Sequence, residues 1–117
     1  METHKVKEAS AAQYSATLED EAGVAIGSAS MTTLTLTIFD ESSDTAIVTD
    51  RDVLNANGGT LSSAGAFVYL FTAADNAIQG TSSIEPHIAL FEWTWSSGTK
   101  SGNHSVKLLV ENFRKVP

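Results

Sequence analysis

Apolar residues recur in this chain at every second position over short stretches, and the stretches are separated by clusters of Gly, Asn, Asp and Ser. The strongest is Met31-Thr32-Thr33-Leu34-Thr35-Leu36-Thr37-Ile38-Phe39, where Leu34, Leu36 and Ile38 fall on one face and Thr33, Thr35 and Thr37 on the other. A period of two with a hydroxyl face predicts a strand of an antiparallel sheet with one face wet. Tyr14, Ala16 and Leu18 alternate in the same way, and a short strand is expected through Val24–Ile26. The acidic cluster Asp40-Glu41-Ser42-Ser43-Asp44 closes a hairpin whose return strand is Ala46–Thr49, and Asn55-Ala56-Asn57-Gly58-Gly59 marks a second turn, because Asn and Gly tolerate positive φ.

Ala66–Phe71 is apolar at every position, which predicts a strand covered on both sides. Thr72–Ile78 is the one stretch that suits a helical turn, with the Thr72 hydroxyl placed to accept from the following amides. The last third predicts a long hairpin. Its strands are His87–Trp95, with Ala89, Phe91, Trp93 and Trp95 on one face, and Ser105–Phe113, with Val106, Leu108 and Val110 on one face; residues 96–104 form the loop. About seven short strands and one helical turn near residues 72–78 give the expected fold: all-β, an immunoglobulin-like antiparallel β-sandwich. Residues 1–10, polar and without period, are expected to be a flexible arm, and residues 11–117 a single sandwich domain.

Composition narrows the chemistry. Ser and Thr together make 27 of 117 residues, charged residues only 18%, so the polar surface is built from hydroxyls, which favours strands. The absence of cysteine excludes disulfides, thiolate metal sites and cysteine nucleophiles. No run of 18 apolar residues suits a membrane span, and the N-terminus lacks the apolar stretch of a secretory signal, so no membrane partner is expected. The net charge of −7 is uneven: residues 1–7 sum to +1, residues 8–99 to −11 and residues 100–117 to +3. An acidic body repels phosphate and argues against nucleic acid as a partner. The basic ends suit contacts with an acidic neighbouring protein, which makes Lys5, Lys7, Phe113, Arg114 and Lys115 the candidate interface residues.

Catalytic and metal-binding patterns are weak. Asp50, Asp52, Asn55 and Asn57 offer clustered oxygens, but Leu54 and Asn55 stand where a calcium loop needs a ligand and a glycine. Asp40, Glu41 and Asp44 are expected to form a solvated hairpin tip. His4, His87 and His104 are far apart in sequence; His87 and His104 flank the last hairpin, and no third ligand stands out, so no metal is expected. No Gly-x-Ser-x-Gly elbow or phosphate loop is present, and neither an enzymatic activity nor a cofactor nor a small-molecule ligand is expected. Trp93 and Trp95, with Tyr69, offer an alternative as a stacking platform for sugar rings in a carbohydrate-binding or host-attachment module. The competing expectation is that the row from Ala89 and Phe91 to Trp95 forms a core wall.

Beyond these local patterns, Tyr14–Gly23, Leu34–Asp40, Val53-Leu54-Asn55-Ala56-Asn57, Ala74–Ile78, His87–Trp95 and Val110–Pro117, taken in order, resemble small virion structural proteins of tailed bacteriophages with an immunoglobulin-like sandwich. The likeness covers Gln13 to Pro117, and its least generic parts are the Val-Leu-Asn-Ala-Asn stretch and the aromatic strand. It implies no active site. It implies a capsid decoration, a head-to-tail or tail accessory subunit or a fibre adaptor, present in many copies, contacting capsid, neck or tail proteins, and synthesised in the bacterial host cytoplasm before incorporation into the virion. An adhesin-like or chaperone sandwich is the reading that remains if the likeness is alternation alone.

Overall fold

The computed structural model describes residues 2–7, 12–77, 84–96 and 100–111. They form eight strands: β1 (Glu2–Lys7), β2 (Ala12–Thr17), β3 (Met31–Asp40), β4 (Ala46–Asp52), β5 (Gly59–Leu61), β6 (Ala66–Phe71), β7 (Ile84–Trp95) and β8 (Lys100–Glu111). The expected helical turn is a single 3-10 turn at Ala74–Asn76. Among the described residues there is no other helix. The strands make a five-stranded sheet in the order β1-β8-β7-β3-β4 and a three-stranded sheet in the order β2-β6-β5.

The two sheets share one core. On β3 the residues Leu34, Leu36 and Ile38 are buried, as their alternation predicts, and β7 and β8 contribute Ala89, Phe91, Trp93, Val106, Leu108 and Val110 beside them. The small sheet adds Tyr14, Leu61, Phe67, Tyr69 and Phe71. Phe91 is the meeting point. Its ring stacks on Tyr14 with centroids 5.0 Å apart and meets the edges of Phe67 and Tyr69 at 5.4 Å and 5.9 Å, offset and edge-on arrangements that suit the charge distribution of aromatic rings.

Turn chemistry fixes the connections. Asn57 and Gly58 take φ of 50° and 93° between β4 and β5, the left-handed region that only Gly and Asn enter at low cost. Gly59 is needed for a different reason: a Cβ there would lie 2.1 Å from the Val53 carbonyl oxygen. Asp52, Asn55 and Asn57, considered as cation ligands, are occupied with the turn itself. Asp52 accepts from the Leu54 amide at 3.0 Å, Asn55 accepts from the Leu61 amide at 2.8 Å, and Asn57 donates to the Asp52 carbonyl at 2.9 Å.

Several expectations are corrected. Glu2–Lys7, placed in a flexible arm, is instead an edge strand running parallel to β8, with Val6 partly buried against the core. Its sequence has no alternation because it joins the sheet through backbone pairing with residues a hundred positions away. β6 is not covered on both sides: Phe67, Tyr69 and Phe71 are buried, but Leu70 on the opposite face is exposed, since no layer of the described residues lies outside the small sheet. Val24–Ile26 forms only an isolated bridge between Ala25 and Glu19. The last hairpin is longer than expected, because Lys100–His104, rich in loop formers, continues β8 along β7. The short strand β5 has no counterpart among the expected strands.

Candidate functional site

The inner faces of β3 and β7 are apolar until their shared end, where they turn polar, while β8 stays apolar there through Leu108 and Val110. Ile38, Ala89 and Val106 form one row across the three strands; in the next inward-facing row Asp40 lies opposite His87, which lies opposite Leu108. Glu85 follows two residues before His87 on the same face of β7. Asp40 is 5% exposed, Glu85 4% and His87 0%. One donor atom from each lies within 4.8 Å of the other two.

This cluster is held from outside. His87 Nε2 is hydrogen-bonded to Glu85 Oε1 at 2.5 Å. The Ser43 hydroxyl donates to Asp40 Oδ2 at 2.6 Å, and the Ser42 amide reaches Oδ1 at 3.4 Å. The Asp40 amide donates to the Thr45 carbonyl at 2.9 Å, which closes the hairpin, and the Glu41 amide donates to the Pro86 carbonyl at 2.9 Å. His87 Nδ1 is buried with no hydrogen-bond partner among the described residues. A carboxylate pair with an imidazole can share a proton or hold a cation.

The signals of this site were present in the sequence. Glu85 and His87 are two apart on a strand, and Asp40 is the last residue of the preceding long one. A search for histidine pairs passes over that pattern, because the second and third ligands are carboxylates. His104, which flanks the last hairpin with His87, lies opposite Phe91 and stacks on Tyr14 with centroids 5.9 Å apart.

A second polar group ties the two sheets together. Arg51 on β4 reaches across to Tyr69 on β6 and Asp75 in the 3-10 turn, with Nη1 2.5 Å from the Tyr69 hydroxyl and 3.1 Å from Asp75 Oδ1. The Tyr69 hydroxyl in turn donates to Asp75 Oδ2 at 2.8 Å. Thr72 and Asp75 bond reciprocally: the Thr72 amide donates to Asp75 Oδ2 at 3.0 Å, and the Asp75 amide donates to the Thr72 hydroxyl at 3.3 Å, so the anticipated capping role of Thr72 is present. Burial, then the hydrogen bond to Asp75 and that carboxylate's charge, push the Tyr69 phenol well above its usual range. Partial burial works against the Arg51 charge, but Asp75 and Tyr69 more than offset it and raise its pKa. This network locks the small sheet to β4.

The aromatic row is a core wall over most of its length. Phe91 and Tyr69 are fully enclosed and Trp93 is 7% exposed, its indole lying against Gly102, while Trp95 is half-buried. A sugar platform requires two exposed coplanar rings, and among Tyr69, Trp93 and Trp95 only Trp95 reaches the surface. It borders an open cleft of about 460 Å³ with Glu19, Asp20, Glu21 and Lys100, which the largely buried Trp93 also lines. Lys100 and Glu21 pair across it at 2.7 Å, a contact that lowers the Glu21 pKa and raises that of Lys100. Both side chains are largely solvated, so the pair is screened and adds little.

Of the candidate interface residues, Lys5 is exposed on β1, opposite Leu109, and Lys7 stands at the end of the same edge strand, opposite Glu111. Phe113, Arg114 and Lys115 lie outside the described residues. A surface that the sequence reasoning missed adjoins Lys5. The outward face of β7 carries Ile84, Pro86, Ile88 and Leu90 in succession, flanked by Phe39 of β3 and Leu109 of β8. Ile84 is 43% exposed, Pro86 and Leu90 are half-buried, and Ile88 is buried at 6% exposure. The Lys107–Glu41 ion pair at 3.0 Å borders the stripe. A wet sheet face is expected to alternate to polar residues here, as it does farther along at Glu92 and Thr94.

No known protein family, no curated protein and no solved structure matches this chain.

Proposed function

We propose that this chain is a non-enzymatic structural protein of a tailed-bacteriophage virion, an immunoglobulin-like β-sandwich that binds neighbouring capsid, neck or tail subunits through the outer face of its five-stranded sheet. The strand order supports the immunoglobulin-like part. β2-β6-β5 corresponds to strands B, E and D of a variable-type domain, and β8-β7-β3-β4 to G, F, C and C′. The 3-10 turn stands at the crossing from β6 to β7, between the two sheets.

The observation that carries the contact surface is the stripe Ile84, Pro86, Ile88 and Leu90. Four successive outward positions on a central strand are apolar; Ile84 is exposed, Pro86 and Leu90 are half-buried around the buried Ile88, and Lys5, Lys107 and Glu41 surround them. Apolar residues ringed by charge are the arrangement of a protein-binding patch. Only β8 separates the stripe from the β1 edge, with Leu109 between Pro86 and Lys5, so a neighbour that covers the stripe and Leu109 also reaches the N-terminal strand. The assignment to a virion rests on the sequence resemblance between Gln13 and Pro117.

The test is co-sedimentation of the purified chain with tailed-phage particles and tail assemblies that lack it, over a range of salt concentrations. The expected result is saturable binding that is lost in Ile84→Lys and Leu90→Lys variants whose thermal unfolding is unchanged. Absence of binding at every salt concentration overturns the virion role. Binding that both variants retain overturns the assignment of the surface.

A further inference from the structure

The cluster of Asp40, Glu85 and His87 plays no part in that contact surface, because its side chains face the interior while Pro86 and Ile88 face out. We infer that it is a binding site for one divalent cation of the zinc class, held by a carboxylate oxygen of Asp40, a carboxylate oxygen of Glu85 and a ring nitrogen of His87. Four features lead there.

Register supplies the first: Asp40 and His87 are direct cross-strand partners, and Glu85 is the next inward residue on β7. The ligands therefore sit on two paired strands and not on mobile loops. Distance is the second. Zinc with bonds near 2.0–2.2 Å sets tetrahedral donors about 3.4 Å apart. That spacing falls between the 2.5 Å of the Glu85–His87 contact and the 4.8 Å that encloses all three donors, so small side-chain rotations suffice. The third is burial: Asp40 is 5% exposed, Glu85 4% and His87 0%, so two carboxylates and an imidazole lie together away from bulk water, where charged groups are paired or coordinate a metal. The fourth is the support behind Asp40. The Ser43 hydroxyl and Ser42 amide orient its carboxylate, and the Ser43 hydroxyl is 2.8 Å from that of Thr45, the outer hydrogen bonding that metal-ligating carboxylates characteristically receive.

The donor set selects the metal. One imidazole with two carboxylates suits zinc and its first-row neighbours better than calcium or magnesium, which take oxygen ligands alone. Three protein donors leave one position for water. The cation would join the end of β3 to the beginning of β7 and balance two carboxylates at the edge of an apolar core, a structural clasp.

Cobalt(II), which occupies zinc sites and absorbs visibly there, tests this on the full chain after chelator treatment and dialysis. The expected result is one equivalent bound with a ligand-field band, displaced by Zn²⁺. Affinity should fall at least tenfold in each of Asp40→Asn and Glu85→Gln and stay unchanged in a His4→Gln/His104→Gln double variant. Zn²⁺ should also raise the Tm of the chelator-treated wild type. Because His87→Gln faces the core and can fail to fold, the two carboxamide variants and the wild-type titration decide the matter. No visible band in the wild type, undiminished binding in both carboxamide variants, or loss of binding on removing the exposed histidines each overturns the site.

Discussion

Replacing Asp75 by Ala removes the acceptor on which three donors converge, and the cost follows from their surroundings. Asp75 is 1% exposed and takes hydrogen bonds from the Tyr69 hydroxyl, the Thr72 amide and Arg51. The Tyr69 hydroxyl is enclosed and loses its only acceptor in this network; a hydrogen bond to a charged group contributes about 1.5–3 kcal/mol. Thr72 is exposed, so its amide recovers water and costs about 0.5–1 kcal/mol. Arg51, with 28% of its side chain exposed, regains solvent and adds little. A loss of about 3 kcal/mol results, at the lower end of what breaking a buried pair costs. For a chain of this size each kcal/mol lowers Tm by roughly 4 °C, so Asp75→Ala should melt about 12 °C below the wild type.

Thermal and urea unfolding, followed by the emission of Trp93 and Trp95 and by far-ultraviolet circular dichroism, measure this directly. Arg51→Met is the complementary variant, since it leaves the Asp75 carboxylate buried beside a neutral side chain. The Arg51→Met/Asp75→Ala double variant should be far less destabilised than the two single losses added together, because the second substitution removes a charge that the first has orphaned. A decrease in Tm of less than about 3 °C for Asp75→Ala, or additive losses in the double variant, would refute the claim that this network locks the small sheet to β4.

The same network makes stability depend on alkaline pH. The folded state holds the Tyr69 proton above the usual phenol pKa of 10.0, whereas the unfolded chain releases it near that value, so the unfolded state binds fewer protons above it. The contribution is complete below about pH 10 and is lost as pH rises further. The urea midpoint should decline above that pH, and Tyr69→Phe should flatten the decline. Elsewhere, a Cβ added at Gly102 would lie 2.7 Å from Trp93 Nε1 and within 2.9 Å of two further indole atoms. Gly102→Ala should therefore displace the indole, destabilise the chain by about 1–3 kcal/mol and shift tryptophan emission to longer wavelength; an unchanged spectrum and Tm would show that Trp93 does not pack there.

Local sequence determined the elements whose cause is local. The alternation of Leu34, Leu36 and Ile38 with threonines needs no partner to specify which face turns inward. Asn57-Gly58 brings positive φ wherever it stands, and Ala89, Phe91 and Trp93 define an apolar face by spacing alone. Tertiary structure decided what depends on pairing between distant segments. Glu2–Lys7 shows no period, because what recruits it is the open backbone edge of β8. Leu70 belongs to an unbroken apolar run and is nevertheless exposed, because none of the described residues packs on the outer side of the small sheet. Asp40, Glu85 and His87 are ordinary loop and strand residues until the β3–β7 register sets Asp40 opposite His87 at the end of the core. Side-chain period is a property of one strand; register, sheet order and the chemistry of a shared face belong to at least two.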